Sequence, residues 1–172
     1  MRSVSIETFE TSRLRAERIR AADLEEMRRL HRDERVMATL GGVRSDAETR
    51  AWLERNLERW ERDGFGRWVF RDRADCGLVG RGGLRRFELE GRDEVELNYT
   101  VVAERWNLGF GTEIARAVVA VGVEHLGLRD MIAFTLPTNV ASRRVMEKAG
   151  FVYERDIVHA NLPHVLYRRR AG

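Results

Sequence analysis

Trp106-Asn-Leu-Gly-Phe-Gly-Thr-Glu113 is the stretch that decides the fold, because it joins the end of a predicted strand to the start of a predicted helix. The backbone N–H groups in the first turn of a helix have no partners within the helix, so such a junction binds anions. Glycines at 109 and 111 would let a pyrophosphate approach the bare backbone. A glycine pair before a helix is also ordinary turn chemistry, so the spacing alone leaves both interpretations open.

A dinucleotide-binding fingerprint does not fit this stretch. Ile114 stands where that motif requires a third glycine. The strand before the stretch also belongs to a predicted hairpin meander, whereas the fingerprint requires a strand–helix–strand unit. The sequence therefore argues against a nicotinamide enzyme.

The residues on either side of the stretch show strand and helix patterns in a regular order. Just before it, β-rich runs at residues 67–71, 77–89 and 94–102 predict an antiparallel meander, with turns at 72–75 and 91–93. The earlier elements are a first strand in the stretch 11–20, where Leu14 and Ala16 alternate with charges, a helix at 24–31 capped by Asp23, and a helix from the Ser45–Glu48 capping box to Trp60. The later elements are a helix at 112–126, a strand at 131–136, a helix at 139–149, and strands at 151–158 and 164–168. The predicted order is βααβββαβαββ.

Length and composition favour one domain over residues 1–172, because 172 residues with 43% apolar content can bury one continuous core. The 31 basic and 28 acidic residues are interspersed, which argues against a nucleic-acid-binding surface. The chain shows neither an apolar run of about 18 residues nor an apolar leader, so we expect a cytoplasmic protein that does not bind membranes. The lone Cys76 predicts no disulfide and no cysteine metal site, and we expect it to be buried as a small apolar residue.

Two motifs resemble the GNAT acetyltransferase superfamily. The stretch at 106–113 is similar to its acetyl-CoA pyrophosphate loop, R/Q-x-x-G-x-G/A, with the tryptophan that is typical of the ribosomal-protein N-terminal acetyltransferases (the RimJ/RimL-like branch). Asn139-Val-Ala-Ser-Arg-Arg-Val-Met-Glu-Lys-Ala-Gly-Phe151 resembles that branch's N-x-x-S-x-R-V-x-E-K-x-G-F signature. Thr11-Ser-Arg-Leu14 and Arg35-Val-Met-Ala-Thr-Leu-Gly41 extend the resemblance over nearly the whole chain.

The resemblance implies an α+β fold whose mixed, mainly antiparallel sheet carries helices on both faces and is splayed between its fourth and fifth strands. It further implies acetyl-CoA as cosubstrate, bound in that splay. The pantetheine arm would pair with the strand near residues 100–102, and the pyrophosphate would lie on the amides of residues 107–112. The implied cofactor-binding residues are Thr100, Val101, Val102, Asn107, Leu108, Gly109, Phe110, Gly111, Thr112, Asn139 and Ser142.

The acceptor amine must lose a proton before it attacks, because an alkylamine is mostly protonated at neutral pH. Glu96 is the candidate base, and Glu94, two residues away on the same face of the strand, is the alternative; both are also compatible with a solvated strand edge. Ser142 is the candidate donor to the leaving thiolate, while Asn139 is an excellent N-cap. Phe134 and Met146 occupy the positions where some members of the superfamily carry a Glu base and a Tyr acid.

The acceptor is expected to enter from the side of the sheet opposite the pyrophosphate loop, near His31 and Trp52. Trp68 and Phe87 are further candidates for the groove wall, although Trp52 and Trp60 recur at the helical period that favours packing against the sheet. The branch acetylates protein N-termini, small amines and antibiotics, and no residue chooses among them. A non-catalytic acetyl-CoA-binding module is the rival hypothesis, no metal is expected, and a homodimer is an open alternative.

Overall fold

The computed structural model describes residues 6–172; residues 1–5, part of the start in which the sequence predicts no leader, lie outside that range. Eight strands form one sheet: β1 (Thr8–Glu10), β2 (Leu14–Arg18), β3 (Arg67–Asp72), β4 (Leu78–Leu89), β5 (Arg92–Val101), β6 (Asp130–Thr135), β7 (Val152–His159) and β8 (Leu162–Arg170). The helices are α1 (Leu24–Arg32), α2 (Glu34–Met37), α3 (Asp46–Asp63), α4 (Phe110–Glu124) and α5 (Val140–Lys148). The predicted α+β order is confirmed, and β1 and α2 are added to it.

The sheet is antiparallel except at its centre. Its strand order is β1-β2-β3-β4-β5-β6-β8-β7, and only β5 and β6 run parallel. The register between β5 and β6 contains one pair, Glu96 with Ile132, whereas β4 and β5 are paired from Gly80–Val101 to Leu89–Arg92. The two central strands therefore diverge after Glu96, and residues 97–101 have a free edge on the side of β6.

Helices cover both faces of the sheet. Neighbouring residues of a strand point to opposite faces, and on β4 the guanidinium of Arg81 lies 4.6 Å from the ring of Trp52 on α3. A Cβ placed on the next residue, Gly82, would lie 2.6 Å from Ile114 on α4. Trp52 and Trp60 are 6% and 2% exposed, which confirms that both pack in the core.

Caps and turns explain where several elements begin and end. Ser45 Oγ accepts from the amide of Glu48, whose carboxylate accepts from the amide of Ser45, so the predicted capping box is confirmed. Asp23 was expected to cap the first long helix, but its carboxylate instead accepts from the amide of Arg20 at 2.7 Å, because a single 3₁₀ turn precedes α1. The hairpin between β4 and β5 turns at Glu90 and Gly91, which both have positive φ, one residue earlier than predicted.

The prediction that Cys76 is a buried small apolar residue is wrong. Cys76 is exposed and lies in the turn between β3 and β4 with φ of 60°. Its amide donates to the carbonyl of Asp72 at 2.8 Å, so the backbone of a tight turn places it at the surface. A side chain in this five-residue surface connection between β3 and β4 has no core to enter.

Candidate active site

The loop that resembles a pyrophosphate site has the left-handed backbone that glycine at 109 predicts. Asn107 and Gly109 have φ of 60° and 81°, in the left-handed region that favours glycine. Gly109 is the N-cap of α4, which begins at Phe110 rather than at the predicted Thr112. The amides of residues 110–112 therefore belong to the first helical turn, where N–H groups have no acceptor within the helix.

Thr11 and Arg13, which are far from the loop in sequence, hold it in place. The Glu113 carboxylate accepts from Thr11 Oγ1 at 2.6 Å, from the Arg13 amide at 3.0 Å and from Arg13 Nε at 2.7 Å. Arg13 also donates to the carbonyl of Leu108 at 2.8 Å, and its guanidinium lies 4.2 Å from the ring of Phe110. Burial favours a higher pKa for Glu113, but the hydrogen bonds and the charge of Arg13 outweigh it, so the pKa is lowered.

Glycine at 111 has a different explanation from glycine at 109. A Cβ at Gly111 would lie 3.5 Å from Val145 and 3.9 Å from Val101, which are ordinary van der Waals contacts. Packing within the protein therefore tolerates a side chain there. A ligand that must approach the backbone closely would not tolerate it.

The free edge of β5 offers a specific set of backbone groups. The Val102 amide donates to the carbonyl of Val79 at 2.9 Å, so Val102 faces β4. Because backbone groups alternate between the two sides of a strand, Thr100 faces β4 as well, and Val101 faces the free edge. The Val101 carbonyl accepts from the indole of Trp106 at 2.9 Å, which links the loop to the end of β5.

Two hydroxyl groups meet across the splay. Tyr99 Oη donates to the Ser142 carbonyl at 2.9 Å and lies 2.8 Å from Ser142 Oγ. Burial raises the pKa of Tyr99, against a smaller lowering by its hydrogen bond with Ser142, so the phenol is neutral at pH 7. The Asn139 side chain accepts from the Ser142 amide at 3.2 Å and so is the predicted N-cap of α5. The sequence interpretation missed Tyr99, although its position in the strand next to Thr100 was a usable signal.

Both candidate carboxylates are bound by arginine. Glu96, whose side chain is 7% exposed, forms an ion pair with Arg85 at the point where β5 and β6 diverge. Glu94 pairs with Arg168 at 2.8 Å, and its side chain is 11% exposed. Neither residue lies on a solvated strand edge, and the two do not share a site.

His31 is buried and neutral. Its Nε2 lies 3.2 Å from a guanidinium nitrogen of Arg44 and 3.4 Å from one of Arg81. A guanidinium only donates, so Nε2 is the acceptor, and Nδ1 carries the proton that it donates to Thr49 Oγ1 at 3.0 Å. Burial and then the charges of Arg81, Arg44 and Arg67 lower the pKa of His31 to about 3. Such a ring is a poor base at neutral pH.

The other aromatic candidates for an acceptor groove differ in burial. Trp68 is fully buried in the core. Phe87 is partly buried, and its ring centroid lies 5.3 Å from that of Phe134, which in turn lies 4.9 Å from that of His159. Met146 is 2% exposed. The two positions where some relatives carry an acid and a base are therefore apolar packing positions here.

Within residues 6–172, no three His, Cys, Asp or Glu side chains are close enough together to hold a metal ion. None of the helices described is both long and apolar enough to span a bilayer.

Comparison with known proteins shows the family to which the chain belongs. The family described as "Acetyltransferase (GNAT) domain" matches residues 13–152, which include β5, the loop and α5. The chain belongs to the GNAT acetyltransferase family. It is therefore an acyltransferase that uses acetyl-CoA.

Relatives of the enzyme are diverse. It is 29% identical to YkkB of Bacillus subtilis over 142 residues, 83% of each chain. RimL, a ribosomal L7/L12 α-N-protein acetyltransferase in complex with coenzyme A, has the same fold with a TM-score of 0.81, 14% identity and coverage of 96% and 98%. A spermidine N-acetyltransferase of Vibrio cholerae, in complex with CoA and spermine, has a TM-score of 0.77, 17% identity and coverage of 93% and 96%.

Proposed function

We propose that the enzyme transfers the acetyl group of acetyl-CoA to a primary amine, either the α-amine of a protein or peptide N-terminus or a small-molecule amine. The divergence of β5 and β6 after Glu96 carries the proposal, because it leaves a free strand edge that ends at a helix N-terminus. An extended amide arm pairs with such an edge, and a pyrophosphate is stabilised by such a helix start.

The residues fit acetyl-CoA in two respects. Gly111 tolerates a side chain within the protein yet lacks one, and Gly109 adopts the left-handed backbone with which α4 begins. We assign the pyrophosphate to Asn107, Leu108, Gly109, Phe110, Gly111 and Thr112, and the pantetheine arm to the strand end at Thr100, Val101 and Val102. Since Val101 faces the free edge, it is the residue of those three that pairs with the arm directly. Asn139 and Ser142 border the arm from α5.

The thioester supplies the acetyl group, and the chain supplies one group that accepts a proton from the amine and one that donates a proton to the sulfur. Glu96 takes the proton from the incoming ammonium, directly or through one water, and its ion pair with Arg85 fixes the position of its carboxylate. Ser142 gives its proton to the leaving sulfur and takes a replacement from water, which in turn receives the second proton that the attacking nitrogen loses; the Tyr99 phenol lies beside the Ser142 hydroxyl. Positioning of two reactants accounts for several kcal/mol of the remaining acceleration.

A panel of amines and N-terminal peptides, assayed for acetyl-CoA-dependent thiol release, tests the function. We expect release above the rate of spontaneous hydrolysis for at least one class of primary amine. Acetyl-CoA binding without release on any amine would indicate a module that binds acetyl-CoA without turnover. Mass spectrometry of the acetylated product identifies the nitrogen that reacts.

A further inference from the structure

Three arginine side chains converge between the sheet and the first helices, and together they form what we call the arginine cluster: Arg44, Arg67 and Arg81. Arg67 and Arg81 are 6% and 4% exposed, and Arg44 is half-buried. The guanidinium groups of Arg67 and Arg81 lie 5.2 Å and 4.6 Å from the ring of Trp52. Cations this deeply buried are rare unless they are paired with an anion.

The cluster has no carboxylate partner among residues 6–172. Arg67 donates to the side-chain oxygens of Asn98 and Asn56, and Arg44 and Arg81 both approach the neutral ring of His31. The buried carboxylate nearby, Glu96, is bound by Arg85 instead. Every acceptor that the cluster contacts is therefore neutral.

Two buried hydrogen-bond donors at the cluster also lack acceptors. Arg81 Nε and Asn98 Nδ2 are buried without a hydrogen-bond partner. Burial, followed by the charges of Arg44 and Arg85, lowers the pKa of Arg81 to about 9. Since both orphaned groups are N–H donors and the local charge is positive, the group that would satisfy them is an anion with acceptor oxygens.

The cluster lies beside the reaction centre. Arg81 is paired with Thr100 in the β4–β5 register, and Asn98 is the second residue after Glu96, where the strands diverge. Paired residues of antiparallel strands share a face, so Arg81, Asn98 and Thr100 point to the side of α3. Tyr99 points to the other face, towards Ser142. The cluster therefore borders the splay on the sheet face opposite to the hydroxyl groups of Tyr99 and Ser142.

We propose that the arginine cluster binds a carboxylate of the acceptor, so that the substrate is a primary amine that carries an acidic group, such as an amino acid or an acidic N-terminal peptide. The proposal rests on the proposed N-acetyltransferase function. A carboxylate matches the planar fork of a guanidinium, and its binding replaces a neutral set of contacts with a charge-assisted pair. Polyamines and other polycationic acceptors are disfavoured by the same charges.

Matched acceptor pairs that differ only in the acidic group test this inference. The pairs are Ala-Glu-amide with Ala-Gln-amide, and β-alanine with β-alaninamide. We expect kcat/KM to favour the acidic member of at least one pair by about 10-fold or more, the loss that accompanies a missing charge-assisted hydrogen bond. Equal kcat/KM values within both pairs would overturn the proposal while leaving the acetyltransferase function intact.

Variants link that preference to the cluster. Arg81→Met removes the buried fork, and Arg44→Gln removes a half-buried member whose loss the fold tolerates better. Each should reduce the preference to within about 3-fold and leave the KM for acetyl-CoA unchanged. Arg50→Gln, on the exposed surface of α3, is the matched control and should keep the full preference. A preference that survives in folded Arg44→Gln and Arg81→Met variants would also overturn the proposal.

A binding measurement separates this inference from the function on which it rests. Calorimetric titration of succinate and of neutral succinamide into the wild-type enzyme saturated with CoA requires no turnover. Succinate binding that Arg81→Met abolishes would support the anion site even if no amine is acetylated. Failure of succinate to bind, together with equal acetylation of acidic and neutral acceptors, would remove the site.

Discussion

The loop at residues 107–113 follows strand β5, and the arginine cluster contacts residues of the same strand, but the two are built in opposite ways. The loop presents backbone amides of consecutive residues, and one outside segment, Thr11 to Arg13, fixes it. The cluster presents side chains from β3, β4 and the segment before α3, which are up to 37 residues apart in the chain, from Arg44 to Arg81. A cosubstrate used by a whole family can be bound by local backbone geometry, whereas the acceptor site that we propose depends on side chains that only the fold brings together.

The largest effect is expected from a change in the loop. Gly109→Glu places a side chain on a left-handed residue and a negative charge at the helix start, so we expect acetyl-CoA binding to weaken by at least about 100-fold. Equilibrium dialysis or calorimetry measures it. Gly127→Glu, at another left-handed glycine with open space around it, imposes the same strain and charge elsewhere and should keep the affinity. A folded Gly109→Glu variant with near-normal affinity would remove the loop from the site.

Truncation of Trp52 tests the other region. Trp52 is 6% exposed and contacts His31 as well as two arginines, so Trp52→Ala should lower the free energy of unfolding by about 3–5 kcal/mol. Trp106→Ala, at a side chain that is 44% exposed in the loop segment, should cost about 1–2 kcal/mol. Urea denaturation measures both.

The kinetics of the Trp52→Ala variant show whether the ring also serves the acceptor. If it does, the KM for the amine rises much more than the KM for acetyl-CoA. Equal changes in the two KM values, or a loss of stability alone, would leave Trp52 as a core residue only.

Loss of the Glu96 carboxylate separates proton transfer from cofactor binding. Glu96→Gln keeps the shape of the side chain and should lower kcat by roughly 10- to 1000-fold, with acetyl-CoA affinity nearly unchanged. Glu94→Gln is the matched control, because Glu94 is on the same strand face and is also bound by an arginine. Full kcat in Glu96→Gln on a good acceptor would show that another group or bulk water removes the proton.

The smallest effect concerns pH. The pKa of His31 is lowered to about 3, from an ordinary value near 6.5, so between these values the unfolded chain binds a proton that the folded chain does not. Its contribution to stability is therefore complete above pH 6.5 and falls as the pH drops, by at most about 1.4 kcal/mol per unit. In His31→Gln, the free energy of unfolding should change less between pH 7 and 5 than it does in the wild type. Equal slopes in the wild type and in His31→Gln would contradict the buried neutral ring.

The sequence by itself determined the features that depend on neighbouring residues. The capping box at Ser45 and Glu48, the N-cap at Asn139, the order of strands and helices and the two family motifs are encoded within segments of at most about a dozen residues, where hydrogen bonding and side-chain periodicity act locally. The positions of the loop residues 107–112 followed from the same local chemistry. Their role in cofactor binding stays a prediction.

Only the tertiary structure decided which side chains share a site. Alternation along β5 placed Glu94 and Glu96 on one face, but their arginine partners come from β8 and β4, and no local pattern pairs them. Tyr99 and Ser142 meet because the central strands diverge and α5 packs beside the gap. The arginine cluster was not apparent from the sequence for the same reason. An arginine is normally a surface residue, and its burial beside other cations depends on strand pairings between residues that are far apart in the chain.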